Sequence, residues 1–419
     1  MPGDKSISHR AVILNSLARG KAEIVNFAPG RDCLATVRCL RALGVEIGKL
    51  KAVSSQPPAI LVSGAGDHGF KEAANVLNAG DSGTTMRLLS GLLSSQPFMS
   101  TITGDASLRT RPMGRLIKPL RFMGAEIWGR GEDSFAPLVI RGRELHSIDF
   151  TLPVPSAQIK SAILLAALFA QGETVLHQPI PSRDHTERML KQMGARLESE
   201  GNSISLIPVN NPLSPLSFRV PGDISSAAYF LVTGAIHPNA RITLKACGVN
   251  PTRTGIIDVL TAMGAKLKIE NERWEANEPL ADIVIESSDL RGIEVGGDII
   301  PRLIDEIPVL AVAGCVAKGK TVIRDAGELR VKESDRIATL SKELSRLGAE
   351  VEELPDGMVI HGGKFLSGTE VDSHKDHRLA MSLAIAGLIA KGETTITQAQ
   401  AAEVSYPAFW QDLLSLSEN

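Results

Sequence analysis

The stretch Glu306-Ile-Pro-Val-Leu-Ala-Val-Ala-Gly-Cys-Val-Ala317, followed by Lys318-Gly-Lys-Thr-Val-Ile323, decides how this chain folds. Its apolar residues keep to no single helical face, and a helix without a polar face is buried on every side. The β-rich Thr321-Val-Ile323 behind it reads as a short strand, with Gly319 in the turn between. Within this stretch, Gly314-Cys-Val-Ala-Lys-Gly-Lys-Thr321 matches the Walker A phosphate-loop pattern letter for letter. That pattern works only where a strand precedes the loop and a helix follows it. Here the order is reversed, so Gly314–Thr321 is read as a helix C-terminus and nucleotide binding is not expected.

The same arrangement recurs along the chain. Helix-like apolar segments span Ser8–Ala18, Thr84–Leu93, Ser156–Ala170, Ile224–Ile236, Glu306–Ala317 and His377–Ala390. Each runs into a turn and a β-rich piece: Ala22-Glu-Ile-Val25, Thr101-Ile-Thr103, Thr174-Val-Leu176, Arg241-Ile-Thr-Leu244, Thr321-Val-Ile323 and Thr394-Thr-Ile396. A polar loop and an amphipathic helix come next. Five units then close on a glycine turn into a strand, at Gly44, Gly124, Gly194, Gly264 and Gly348. The period is about 70–80 residues, which marks an internal repeat. The sixth unit lacks its closing strand. The abrupt start at Met1-Pro2-Gly3-Asp4-Lys5 suggests that a leader or a strand belongs upstream.

Interior helices of this kind differ from a doubly wound sheet, in which helices cover the outside. The units divide into two domains of three, with the Pro- and Ser-rich Asn210–Val220 as the boundary. That places one domain at residues 5–220 and the other at 221–419, with residues 1–4 expected to join the latter.

Bulk composition narrows the function. The 419 residues are 43% hydrophobic and 22% charged, as in an ordinary globular protein. A net charge of -2 and only 4% aromatics argue against a nucleic-acid binder. Cys33, Cys39, Cys247 and Cys315 are scattered without metal-ligand spacing, which suits free thiols in a reducing compartment, the cytoplasm. No apolar run is long enough for a membrane span. His185 and His377 stand beside aspartates and arginines, but no His-Glu-x-x-His or Cys-x-x-Cys occurs, and a non-metal role is expected for both.

Polar residues gather just before the apolar helices: Lys5–Arg10, Gly80–Thr85, Pro155–Gln158, Asp305-Glu306 and Asp376–Arg378. Helix N-termini are ready anion sites. Ser, Thr and Asp are also ordinary N-caps. Five such loops, several with Lys or Arg, fit a substrate bearing phosphate or carboxylate groups better than capping alone. The loop Gly104–Arg115 adds Arg109, Arg111 and Arg115, of which Arg109 and Arg111 need not point the same way. Leu329-Arg-Val-Lys-Glu-Ser-Asp-Arg336 packs four ionisable side chains into five positions at a strand-to-helix turn. That is either a solvated, charge-paired first turn or a site where an anion is held and a proton exchanged.

Six strings together resemble the 5-enolpyruvylshikimate-3-phosphate (EPSP) synthase family over nearly the whole chain. They are Pro2–Arg10, Gly104–Met113, Ser156–Ser161, Ser182–Glu187, Leu329–Arg336 and Asp376–Arg378. The resemblance implies an α/β fold: a two-domain inside-out α/β barrel of six βαβαββ repeats, with the active site in the interdomain cleft. It implies transfer of the enolpyruvyl group of phosphoenolpyruvate to the 5-hydroxyl of shikimate 3-phosphate, with release of phosphate, towards aromatic amino acids. No metal or organic cofactor is implied, and a monomer is expected. By the same resemblance Lys5 lies between the two substrates. Ser6, Arg10, Ser156, Ala157, Gln158, Arg183, Asp305 and Lys332 attend shikimate 3-phosphate. Gly83, Arg111, Gln158, Arg336 and Arg378 attend phosphoenolpyruvate. Asp305 accepts the hydroxyl proton, while Glu333 donates one to the methylene carbon and later removes one.

Two positions depart from the family pattern. Asp81 stands where Asn is usual, a carboxylate that would repel an anionic substrate unless turned away or paired. Val404 stands where many relatives place a Lys. Gly83 is the small residue associated with sensitivity to glyphosate, so inhibition by glyphosate is expected. The sister transferase acting on UDP-N-acetylglucosamine would share the fold. It typically has Asn after the first Lys and a reactive Cys or Asp in the Arg-rich loop, whereas here Ser6 follows Lys5 and no Cys lies between Gly104 and Leu120. A non-catalytic sugar-phosphate-binding relative is the remaining alternative, and Asp305 together with Glu333 speaks against it.

Overall fold

The computed structural model describes residues 1–49, 58–66, 69–208 and 212–416. Asn210 and Asn211, at the head of the proposed boundary stretch, lie outside them. The chain forms two compact units. One comprises Gly3–Val220 with Glu275–Glu278; the other comprises Met1–Pro2, Pro221–Trp274 and Pro279 onward.

The first unit holds three copies of one pattern. Its interior helices are Lys5–Leu17, Gly83–Leu93 and Ala157–Ala167, which are buried along nearly their whole length. Each leads into a strand, Arg19–Val25, Met99–Thr103 and Thr174–His177. An outer helix follows (Arg31–Ala42, Gly114–Phe122, His185–Gln192), and then a hairpin. The three four-stranded sheets share one order: a short parallel lead strand, the strand after the interior helix, then the second and first arms of the hairpin. Leu77–Asn78 and Asp149–Thr151 are lead strands that precede their own helix. The first repeat starts at its helix, and Phe218–Arg219, from the far end of the unit, takes the lead position beside Ile24 and Val25.

Interior helices and strand faces share one apolar core, with Val12, Leu89 and Ile163 from the helices and Ile24, Ile102 and Leu176 from the strands. Burying one such side chain stabilises by about 1.5–3 kcal/mol. The outer helices bury one face only: Leu116, Ile117 and Leu120 of Gly114–Phe122 are inside, while Arg121 and Phe122 are exposed.

The second unit repeats the pattern around Ile224–Ile236, Ile307–Val316 and His377–Ile389. Tyr229, Phe230, Tyr406 and Phe409 pack edge-to-face or tilted in its core. The last sheet has two strands among the described residues, Glu370–Asp372 and Thr395–Thr397. The glycine turns that close the other five repeats all have left-handed φ, from 89° at Gly348 to 98° at Gly124, a region costly for residues with a Cβ.

Details differ from the sequence reading at the helix ends. The first helix begins at Lys5 rather than Ser8, because Asp4 caps it by accepting from the Ile7 N–H at 2.8 Å. Leu329–Arg336 is more than a turn: a 3-10 helix, Gly327–Val331, separates strand Lys320–Ile323 from helix Arg336–Arg346. Buried Leu329 anchors it, a single apolar residue that leaves no periodicity to read. The Walker-like string is the end of helix Ile307–Val316, a turn with Gly319 at φ +93°, and the start of the strand.

Candidate functional site

Each unit carries one constellation of polar residues at the N-terminal ends of its interior helices. In the first unit Lys5 opens helix Lys5–Leu17, and its ammonium pairs with Asp32 Oδ2 at 2.8 Å. Asp32 stands in the first turn of outer helix Arg31–Ala42. Burial, and then the charge of Asp32, push the carboxyl of Asp81, in the loop before Gly83–Leu93, up to about 7.

Gly83 is the first residue of its helix, capped by Ser82, whose Oγ accepts from the Thr85 N–H at 3.1 Å. Two guanidiniums crowd it. A Cβ built on Gly83 would stand 2.9 Å from Arg87 Nη1 and 3.3 Å from Arg111 Nη1. Arg87 Nη1 donates to Gln158 Oε1 at 2.5 Å, and Gln158 Nε2 donates to Thr84 Oγ1 at 2.9 Å. Gly83, Arg111 and Gln158 therefore meet around Arg87. Two adjacent guanidiniums beside a helix N-terminus favour an anion there. Of the loop arginines, Arg111 is buried at this point and Arg109 is exposed.

Ser156 caps helix Ala157–Ala167 by accepting from the Ile159 N–H at 3.4 Å, with Ala157 next in the first turn. Arg183 reaches Ser6 Oγ at 3.4 Å. Arg10 turns inward: its guanidinium donates to Thr186 Oγ1 at 2.7 Å, Ser161 Oγ at 2.8 Å and the Ser6 carbonyl at 2.9 Å. Burial pulls it down to about 10, still a cation at neutral pH. It braces Ser6 and ties the first interior helix to the third.

In the second unit the organising group is Arg336, only 1% exposed. Its Nε donates to Asp376 Oδ2 at 2.8 Å and its Nη2 to Glu333 Oε2 at 2.5 Å. Asp376 caps the last interior helix, accepting from the Arg378 N–H at 2.8 Å. Asp305 lies 3.7 Å from Arg336 Nη1 and 3.7 Å from Arg378 Nη2, beyond direct hydrogen-bond length from either. Burial alone would lower Arg378, but Asp305, the Tyr229 phenol, Glu306 and Asp223 outweigh it and hold the guanidinium charged. Tyr229 lies beside Arg378 in the core. Burial lowers Lys332, opposed by Asp305, while Arg336 adds to the lowering. Lys332, Glu333, Arg336, Arg378 and Asp305 thus form one cluster of three cations and two carboxylates. Val404 ends the 3-10 helix Ala399–Val404 of this unit, half-buried.

Sequence reasoning did not find Arg87, Asp32, Asp376 as the partner of Arg336, or Tyr229. Arg87 had a signal: it is a charge inside an otherwise apolar helix, which is buried only with partners. The partners of Asp32 and Tyr229 come from distant segments, and nothing local announces them.

The family model for EPSP synthase (3-phosphoshikimate 1-carboxyvinyltransferase) matches residues 1–413. A 3-phosphoshikimate 1-carboxyvinyltransferase of Herpetosiphon aurantiacus is 53% identical over 420 residues, covering 100% of this chain and 96% of the relative. One of Gloeobacter violaceus is 54% identical over 414 residues, covering 98% of this chain and 94% of the relative. A solved EPSP synthase from Acinetobacter baumannii superposes with a TM-score of 0.86 at 45% identity, covering 99% of this chain and 94% of that one.

Proposed function

The chain belongs to the EPSP synthase (3-phosphoshikimate 1-carboxyvinyltransferase) family, and from that premise we propose the residues by which it carries out the family's reaction. The reaction transfers the enolpyruvyl group of phosphoenolpyruvate to the 5-hydroxyl of shikimate 3-phosphate, releasing phosphate. The observation that carries the assignment is the cluster in which Arg336 holds Glu333 at 2.5 Å with Asp305 at 3.7 Å.

Addition to an enol ether requires protonation at one carbon while an oxygen attacks its neighbour, so an acid and a base must act from separate positions. Asp305 takes the proton of the 5-hydroxyl as that oxygen bonds to C2 of phosphoenolpyruvate. Glu333 delivers a proton to C3, giving a tetrahedral intermediate with a methyl group. It then removes a methyl proton as the bond to phosphate breaks and the double bond returns. Lys5, Arg111, Lys332, Arg336 and Arg378 offset the repulsion between the two anionic substrates. Gly83 and Gln158 serve phosphoenolpyruvate. Ser6, Arg10, Ser156, Ala157, Gln158 and Arg183 serve shikimate 3-phosphate, with Lys5 attending both. On this reading both constellations serve one reaction.

We also propose that the chain works as a cytoplasmic monomer on small molecules, without nucleic acid or membrane partners. All four cysteines are buried and none is in a disulfide, which suits a reducing compartment. No helix among the described residues is long and apolar enough to cross a membrane. Mass spectrometry of the shikimate 3-phosphate pool after incubation with phosphoenolpyruvate tests the reaction. The expected product carries one carboxyvinyl group in place of the 5-hydroxyl hydrogen; unmodified shikimate 3-phosphate would contradict the reading.

A further inference from the structure

Just before Asp376, two consecutive residues hold a left-handed backbone, costly for any residue with a Cβ. His374 and Lys375 have φ of 51° and 59°, and the Asp376 N–H donates to the Ser373 carbonyl at 2.9 Å. That is a tight turn with both central residues left-handed, a form that selects Asn and Gly. With His and Lys there, such a turn persists only where its neighbours hold it.

The holding group is Glu343, wholly buried in helix Arg336–Arg346. Its Oε2 accepts from the Asp372 N–H at 3.1 Å, and its Oε1 meets His374 Nε2 at 2.9 Å. A carboxylate offers only acceptors, so Nε2 carries the proton in that bond. Arg346 Nη1 flanks the carboxylate, 3.3 Å from Oε2. Asp372 completes the frame: its Oδ1 accepts from the His374 N–H at 2.8 Å and from Gln398 Nε2 at 2.9 Å.

Glu343 follows Arg336 by about two helical turns, ~10 Å along the axis, so both lie on one face. At the helix start Arg336 Nε holds Asp376 at 2.8 Å; further along, Glu343 holds the turn that leads into Asp376. Asp376 also accepts from Ser334 Oγ at 3.1 Å and from the Arg378 N–H at 2.8 Å. We propose that Glu343 is a positioning residue for the enolpyruvyl transfer, clamping the left-handed turn so that Asp376 aligns Arg336, Glu333 and Arg378. The proposal rests on the reading that these three residues attend phosphoenolpyruvate and its proton.

The test pairs Glu343→Ala with a change that removes the backbone cost. Glycine takes a left-handed φ freely, so Lys375→Gly lets the turn hold with fewer ties. Lys375 is exposed, and Lys375→Gly alone should leave kcat within about twofold of wild type. Glu343→Ala should lower kcat about tenfold or more, as misplaced reacting groups do, with shikimate 3-phosphate affinity within about twofold. Adding Lys375→Gly to it should restore kcat by about threefold or more. Unchanged kcat in Glu343→Ala, a loss that Lys375→Gly does not restore, or an equal loss of shikimate 3-phosphate affinity overturns the proposal. Lys375→Val reaches the same turn without emptying the core, and decides the matter should Glu343→Ala not fold. A β-branched side chain resists positive φ, so kcat should fall about threefold or more with Glu343 in place. An unchanged kcat there overturns the proposal.

Exchange of the buried Arg336 Nε–H, followed by NMR, gives a readout independent of turnover. It should quicken in Glu343→Ala and slow again when Lys375→Gly is added. Equal rates in all three proteins overturn the proposal. No phosphate release from the wild type with both substrates would overturn the reaction assignment instead, with the exchange rates still deciding whether Glu343 fixes Arg336 through the turn.

Discussion

Asp376 Oδ2 accepts a 2.8 Å hydrogen bond from Arg336 Nε, and the two side chains are 0% and 1% exposed. The carboxylate also caps the last interior helix, so one acid fixes a helix start and the group that holds Glu333. Removing one partner of such a pair leaves an uncompensated buried charge, which typically costs about 3–5 kcal/mol. Asp376→Ala should lower stability to urea by that order. The sign of the pH effect follows. Burial would raise Asp376, but Arg336 outweighs it and the folded-state value lies below the ordinary one. Its contribution is therefore present above the unfolded value of about 4 and lost as pH falls through the folded one. The stability gap between wild type and variant should close on the acid side and stay constant from pH 6 to pH 8.

Glu333 touches Arg336 but caps no helix, so its removal separates chemistry from folding. Glu333→Gln keeps the volume and loses the acid. Turnover should fall by about a hundred- to ten-thousandfold, the usual share of general acid–base catalysis. Titration calorimetry should find shikimate 3-phosphate binding within about twofold of wild type, or ~0.4 kcal/mol. Lost binding would remove Glu333 from the acid's role.

Gly83 has no room for a methyl group unless a guanidinium moves, with Arg87 Nη1 2.9 Å from the built Cβ and Arg111 Nη1 3.3 Å away. Gly83→Ala should raise KM for phosphoenolpyruvate by about three- to tenfold, or ~0.6–1.4 kcal/mol. Inhibition by glyphosate, expected for the wild type, should weaken with it. Steady-state kinetics with varied phosphoenolpyruvate checks both.

Gly91 marks where two interior helices of the first unit touch. A Cβ there would run into the Ala162 backbone, 2.7 Å from its carbonyl carbon and 2.8 Å from its Cα. Backbone cannot yield as a side-chain tip can. Gly91→Ala should destabilise by about 1–3 kcal/mol despite the better helix propensity of alanine. A denaturation midpoint equal to wild type would mean that the helices part more easily than this packing implies.

The interior helices and glycine turns were legible because each leaves a local mark. Ile307–Val316 has no polar face, and Gly44, Gly124, Gly194, Gly264 and Gly348 sit where only a positive φ lets the chain reverse. The lead strands were not, since Leu77–Asn78 and Glu294–Val295 are too short to show an alternation of period two. The residues proposed for the site were found through their motifs, but their partners were not. Asp32 beside Lys5 and Asp376 beside Arg336 are joined by packing between segments 27 and 40 residues apart, whereas Arg87 lies one helical turn from Gly83. Asp81 shows the limit most clearly: the sequence marks it as an unwelcome charge, and only the fold buries it near a second acid, Asp32.

The most direct test of the reaction is phosphate release measured with shikimate 3-phosphate and phosphoenolpyruvate, separately and together. Release is expected only when both are present. Release from phosphoenolpyruvate alone, or none with both at saturating concentration, would contradict it.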